Sequence, residues 1–378
     1  MKRPGFAGSF WPTEEQEQLL RAALLEGGES ERSWQAVRPT LDIDRLDAGA
    51  ARLLPLVYLK LVERGSDDPL LPRMKGLYRY LWSRNQLNID AVADMLRTLH
   101  RNGIETLLLG STALIHRYYS QQGTRLLDEP AVLVRLDHRT AALAALDRAG
   151  WHVAPFGSGR YRQVARNGRQ CGLCWRLPPE LEHPAGEGSA DEFWNAAVHM
   201  TLGETPTSAL CATDELIHTC LAAAGSSRTA NVLWVADATV ILQAARAELD
   251  WVRLIRLSVE HRCAMRLHDA LRYLADGLDA PVPTSVIAEL EGAPVSSRER
   301  FAHRMTGRGT SLLGNASRTF AIHMVSTPDA SVFRTCATFP SYLAASWGVD
   351  HIGQLPGAFA RRFVASVTAW RGRARARS

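Results

Sequence analysis

The chain has 378 residues, of which 46% are hydrophobic and 22% charged, a balance that fits a folded protein of two or three domains and excludes a disordered one. Its formal net charge of +5 is small for that length and gives little support to nucleic-acid binding. The longest apolar stretch, Leu53–Val62, is broken by Pro55 and Lys60, Met1–Pro12 has no apolar signal core, and six cysteines are scattered; a cytoplasmic protein without membrane spans or a disulfide framework is expected.

The first hundred residues read as helices. Glu14–Leu25 and Ala50–Glu63 have apolar residues at helical spacing, with Gly27-Gly28 and Gly65 as stops. Asp68-Pro69 opens a long amphipathic stretch to about Arg101, with Leu77, Leu81, Leu87, Val92, Met95, Leu96 and Leu99 as its buried stripe. Asn102-Gly103 closes it as a helix C-terminus. Thr106–Leu109 is too short for a helix and reads as a buried strand, followed by a helix from Ser111 to about Tyr119. Ala131–Arg135 is the next strand and Thr140–Ala149 the next helix. Val153–Phe156, Arg160–Arg166 and Gln170–Leu177 read as strands separated by Gly157–Gly159 and by the hairpin signal Asn167-Gly168.

From Ala190 the chain is expected to be helical again, with Glu215–Ala224, Val232–Ala247, Asp250–His261 and Met265–Leu278 as helices. The tail bearing Arg371, Arg373, Arg375 and Arg377 reads as a solvated terminus, the alternative being contact with nucleic acid or a membrane surface. The expected class is α+β: an N-terminal helical region over 1–102, a mixed-sheet core over 103–189 and a C-terminal helical region over 190–378.

The strand that ends in Gly110-Ser111 and turns at once into a helix has the order of a phosphate-binding turn. Glycine allows close approach of the backbone, and a serine hydroxyl with helix N-terminal amides donates to phosphate oxygens. Arg117 and Arg125 flank the presumed cleft and suit phosphate or peptide contact; Asp128 and Glu129 precede the next strand. Cys171 and Cys174 form a CxxC, but on a strand residues three apart face opposite sides, so two ordinary thiols are expected rather than a metal site. His218 and Asp237 are polar positions on two apolar helices and are candidates for a cross-helix pair.

The ordered segments RLLPLVYLKL (from Arg52), KGLYRYLWSRNQ (Lys75–Gln86), HRYYSQQGTR (His116–Arg125), LDRAGW (Leu146–Trp151), ELIHTCLAAA (Glu215–Ala224), WVADATVIL (Trp234–Leu242) and LDWVRLIRL (Leu249–Leu257) resemble a bacterial nucleotidyltransferase-like family with long helical flanks. That family belongs to the superfamily of DNA polymerase beta. The resemblance implies a Gly-Ser or Lys-Gly turn, then a strand bearing Asp-x-Asp, with a third acid on a neighbouring strand. Such acids hold the magnesium ions of two-metal transfer. On this pattern the first two metal positions fall at Glu129 and Ala131, and the third at Gly172 within Gly172-Leu173-Cys174-Trp175. Two of the three therefore lack a carboxylate.

The expectation is a catalytically degenerate protein that binds rather than transfers, with no confident catalytic residue, no metal and no cofactor. Its ligand would be a peptide or protein, such as the precursor in a peptide-modification pathway of natural-product biosynthesis, bound near Gly110, Ser111, Arg117, Arg125, Asp128 and Glu129. The alternative is an active enzyme using magnesium and a nucleoside triphosphate on a small molecule or protein.

Overall fold

The computed structural model describes residues 11–128, 130–157, 160–178, 181, 190–225, 232–306, 319–321, 323–325, 327, 331–347, 349, 352–357 and 359–360. Helix α1 (Glu14–Leu24) starts at a capping box in which the Thr13 hydroxyl accepts from the Gln16 amide and the Gln16 side chain accepts from Thr13. Gly27-Gly28 do end this helix, yet they also form the first turn of a second, α2 (Gly27–Val37), which the sequence reading leaves unassigned. Asp47 caps α3 (Ala48–Glu63), accepting from the Gly49 and Ala50 amides at 2.7 and 3.1 Å. The long helix α4 spans Leu71–His100.

Then come β1 (Leu107–Leu109), α5 (Ser111–Tyr118), β2 (Ala131–Leu133), α6 (Arg139–Arg148) and the strands β3 (His152–Gly157), β4 (Tyr161–Arg166) and β5 (Arg169–Cys174). The expected return to helix at Ala190 is only partly met. After α7 (Ala190–Asn195) a hairpin of β6 (Val198–Leu202) and β7 (Thr205–Ala209) turns at Gly203, and β7 pairs in parallel with β1. The sheet thus extends to Ala209, past the boundary expected at 189. Its order is β3-β4-β5-β2-β1-β7-β6, with β1 antiparallel to β2 and β2 parallel to β5.

Both faces of the central strands are covered, which is why β1 reads Leu-Leu-Leu without alternation. Leu107, Leu109 and Leu133 turn to one core; Leu108, Val132 and Val134 turn to the other, beneath α4 and α6. The first core joins the N-terminal helices to α8 (Ala212–Gly225), α9 (Leu233–Ala244), α10 (Trp251–Glu260), α11 (Ala264–Leu278) and α12 (Thr284–Glu291). The helices α1–α3 and α8–α12 thus share one core, while most of α4 covers the other face of the sheet. Trp11 packs on Trp234 and Tyr273, with ring centroids 5.9 and 4.9 Å apart, and the Arg21 guanidinium donates to the Gly277 carbonyl at 2.6 Å. Among the described residues no helix is long and apolar enough to cross a membrane.

Candidate functional site

The site expected from the sequence lies where β1 gives way to α5. Gly110 has φ +63° and ψ −140°, a conformation that side chains rarely adopt, and this lets the strand turn at once into the helix. Across the sheet Leu109 pairs with Ala131, and Ala131 pairs with Gly172. Two of the three positions where the family resemblance implies carboxylates, Ala131 and Gly172, are therefore register neighbours beside the turn. Neither carries a donor side chain. The Gly172 amide donates to the Pro130 carbonyl at 2.8 Å, and a Cβ on Gly172 would meet that of Ala131 at an ordinary 3.7 Å. Packing at Gly172 does not exclude a side chain.

The other residues expected there are committed to the fold. The Ser111 hydroxyl donates to the Asp128 carbonyl at 2.6 Å, tying the turn to the loop before β2 rather than pointing at a phosphate. The Asp128 carboxylate, outside β2, pairs with Arg52 of α3 at 3.4 Å. Glu129 lies outside the described residues, as do the turn residues 158–159 and the arginine-rich tail. Arg117 and Arg125, expected as ligand contacts, turn inward. Arg117 donates to the Leu210 carbonyl at 2.6 Å, pairs with Glu248 at 3.4 Å and lies over the Tyr118 ring. The buried Arg125 grips Asp237 with Nε at 3.0 Å and Nη2 at 2.9 Å from separate oxygens.

Asp237, the residue expected to pair with His218 across the helices, is thus held by Arg125. Its second partner is the Tyr119 hydroxyl, which donates at 2.6 Å. Burial and the adjacent carboxylate push the Tyr119 phenol well up, keeping it protonated. The Arg125–Asp237 pair fixes the loop from behind, and Asn85 of α4 fixes it from the other side. The Asn85 amide donates to the Gln122 and Arg125 carbonyls at 2.6 and 2.7 Å and accepts from the Leu127 amide at 2.9 Å. The sequence reading missed Asn85, whose signal is a polar residue within the apolar stripe. It placed Leu87 on that stripe instead, and Leu87 is exposed.

A second group escaped the sequence reading: Glu215, in the first turns of α8. It is fully buried, and neither carboxylate oxygen has a hydrogen-bond partner among the described residues. Desolvation pushes its pKa up to about 7 against the opposing pull of His218 and Arg117, with Asp237 and Asp214 adding to the rise. Asp214 beside it is neutralised by Arg253, which donates to both of its oxygens at 2.8 and 2.9 Å.

Cys171 and Cys174 face opposite cores, and burial pushes both thiols up to about 12. No group of three or more His, Cys, Asp or Glu among the described residues is arranged to hold a metal ion. With no donor on Ala131 or Gly172 and Asp128 paired to Arg52, the described residues do not fit a two-metal centre. An open cavity of about 620 Å³, lined by residues including His100, Glu105, Arg135, Trp194 and Thr207, sits at the start of β1, the end of the sheet away from Gly110.

No curated protein matches the chain. The match to a family model spans residues 42–279, well over half the sequence and the whole of the sheet, and the chain belongs to that family, described as an uncharacterised nucleotidyltransferase.

Proposed function

We propose that this chain is a nucleotidyltransferase-fold protein that has lost metal-dependent transfer and works as a binding or accessory protein. The observation that carries this reading is the register pairing of Ala131 with Gly172 beside the Gly110 turn, two residues without oxygen-bearing side chains where the family resemblance implies carboxylates. Magnesium keeps most of its waters but requires at least one or two carboxylates at such a site.

The ligand in this reading is a peptide segment, held in the groove between the sheet and the helices, as in a peptide-modification pathway. Loss of two negative charges makes that groove more apolar and favours a peptide over a metal-bound triphosphate. The rival, an active enzyme using magnesium and a nucleoside triphosphate, draws on the retained Gly110-Ser111 turn and helix start. Calorimetry with magnesium and each triphosphate separates the two. The binding role predicts no metal-dependent heat; micromolar, magnesium-dependent binding abolished by Glu129→Gln restores the enzyme. Fluorescence anisotropy with labelled precursor peptides from neighbouring genes tests the ligand class. Binding of a nucleotide without binding of any peptide at tens of micromolar removes the peptide reading.

A further inference from the structure

The seven-stranded sheet has two outer strands, β3 and β6, and the chain treats these edges differently. A free edge presents a row of backbone donors and acceptors to any other strand, and proteins blunt it with proline, charge or a bulge. β3 carries two of these devices: Pro155 removes an amide, and the register with β4 shifts between Val153 and Gly157. β6 carries none. Val198–Leu202 contains no proline and no Asp, Glu, Lys or Arg, and it pairs with β7 without a break in register.

The register also decides which of its groups face outward. The two-residue turn Gly203-Glu204 closes on Leu202 and Thr205, so the hydrogen-bonded pairs of the hairpin are Leu202–Thr205, Met200–Thr207 and Val198–Ala209. Pro206, which has no amide to give, falls opposite Thr201 in a pair that needs none. The amides and carbonyls of His199 and Thr201 therefore point away from β7, and both residues are exposed. Among the described residues none of these four groups has a backbone partner.

Beside the His199 end of this edge lies the cavity of about 620 Å³, to which Ile104, Trp194 and Pro206 give apolar walls. Its polar groups are largely spent on one another. Arg135 is shared by Glu105 and Asp191 at 3.2 and 2.7 Å and lies over the Trp194 ring. His100 Nε2, the Thr106 hydroxyl and the Thr207 hydroxyl form a chain with spacings of 2.8 and 2.9 Å. With its arginine and glutamate paired to each other, such a seat suits an uncharged aromatic side chain.

We propose that β6 takes an extended peptide as a further strand, hydrogen-bonded to the outward groups of His199 and Thr201, with an aromatic side chain of that peptide seated in the cavity against Trp194. Backbone pairing supplies affinity and the cavity supplies the choice of sequence. A second copy of this chain fits less well. Pairing antiparallel about Met200, it sets Thr201 opposite His199 and brings no large side chain to the cavity. The cavity lies at the end of the sheet away from Gly110, so the proposal stands whatever the groove at the other end holds.

The test selects binders to the full chain from a displayed library of short random peptides and measures them by fluorescence anisotropy. Sequences centred on an aromatic residue are expected, their binding weakened about tenfold or more by T201P and by W194A and kept in T201A, which retains the amide. Proline at this position breaks no bond to β7, so unchanged circular dichroism is expected. In the parent protein, hydrogen exchange of the Val198–Leu202 amides is expected to slow when a peptide binds, a readout that needs no variant. A library that yields no binder overturns the proposal. Binders indifferent to T201P and W194A that leave this exchange unchanged also overturn it, while leaving the peptide reading of the groove standing. Concentration-dependent dimers that disappear in T201P overturn it in favour of a second copy.

Discussion

The Glu215→Gln substitution keeps the size of a fully buried side chain and removes its ability to ionise. Arg117 and His218 favour the charged carboxylate, while Asp237, Asp214 and above all burial oppose it, leaving a pKa of about 7 against an ordinary 4.5. Between those values the folded protein holds a proton that the unfolded chain has released, so stability falls as pH rises. The stabilising difference is whole below pH 4.5 and is lost as pH passes 7. The separation corresponds to about 3.5 kcal/mol at roughly 1.4 kcal/mol per pH step, of which about 2.5 kcal/mol falls between pH 5 and 8. Glutamine has no such dependence. Urea unfolding of both proteins at pH 5 and pH 8 should therefore show the stability of Glu215→Gln, relative to the parent, rising by about 2.5 kcal/mol at the higher pH. A difference that stays constant within about 0.5 kcal/mol would mean that the carboxylate is solvated or paired in the folded state, and would refute the reasoning.

Asp237→Ala should cost about 3–5 kcal/mol in urea unfolding, because it strands the buried Arg125 guanidinium and the Tyr119 hydroxyl; R125M/D237A should recover much of that, and equal losses in the two variants would argue against a coupled pair. Gly110→Ala should lower stability by about 1–3 kcal/mol through its positive φ alone, since a Cβ there meets nothing within 4 Å; an unchanged thermal midpoint would show that the turn relaxes freely. A131D/G172D should fold, given the space beside Ala131, and should gain magnesium binding by calorimetry; a folded double variant that binds no magnesium would show that the missing acids are not the whole deficit.

The sequence reads best where one physical demand acts alone. The strand–turn–helix at Gly110 is visible because three leucines too short for a helix run into a glycine, and both the β1 pairing and the Gly110 backbone follow that pattern. The hairpin β6–β7 was invisible because Val198–Leu202 and Thr205–Ala209 mix polar residues and Pro206 with few large apolar ones. The strand form of β7 comes with its pairing to β1, a long-range contact that local pattern does not carry, and β6 pairs with β7 in turn. The protein partners of Arg117 and Arg125, expected as ligand contacts, were hidden for a related reason. An arginine between apolar segments looks alike whether it meets solvent, ligand or a buried aspartate, and the Asp237 that settles Arg125 is far away in sequence. Asn85 was hidden by its own helix, whose periodicity suggested Leu87 for the inward stripe.

The distribution of constraint across the site bears on what the protein retains. The loop from Gln121 to Asp128 is held by Asn85, by Arg125 on Asp237, by Ser111 on the Asp128 carbonyl and by Arg52 on the Asp128 carboxylate. The Gly123 Cα also sits so close to the Tyr78 ring that a Cβ would lie only 2.6 Å from it. Buried polar anchors of this kind carry a desolvation cost and are poor sources of net stability, since an apolar replacement of similar shape is often as stable. What they supply is a single, defined position for the loop. A protein relieved of every task at this end of the sheet would have no physical need for that definition, whereas one that presents a shaped surface to a ligand would. The precision therefore sits in the framework around the sheet end, while the two register partners that would carry the metal chemistry are alanine and glycine. The binding role proposed above would draw on that framework and not on those two positions.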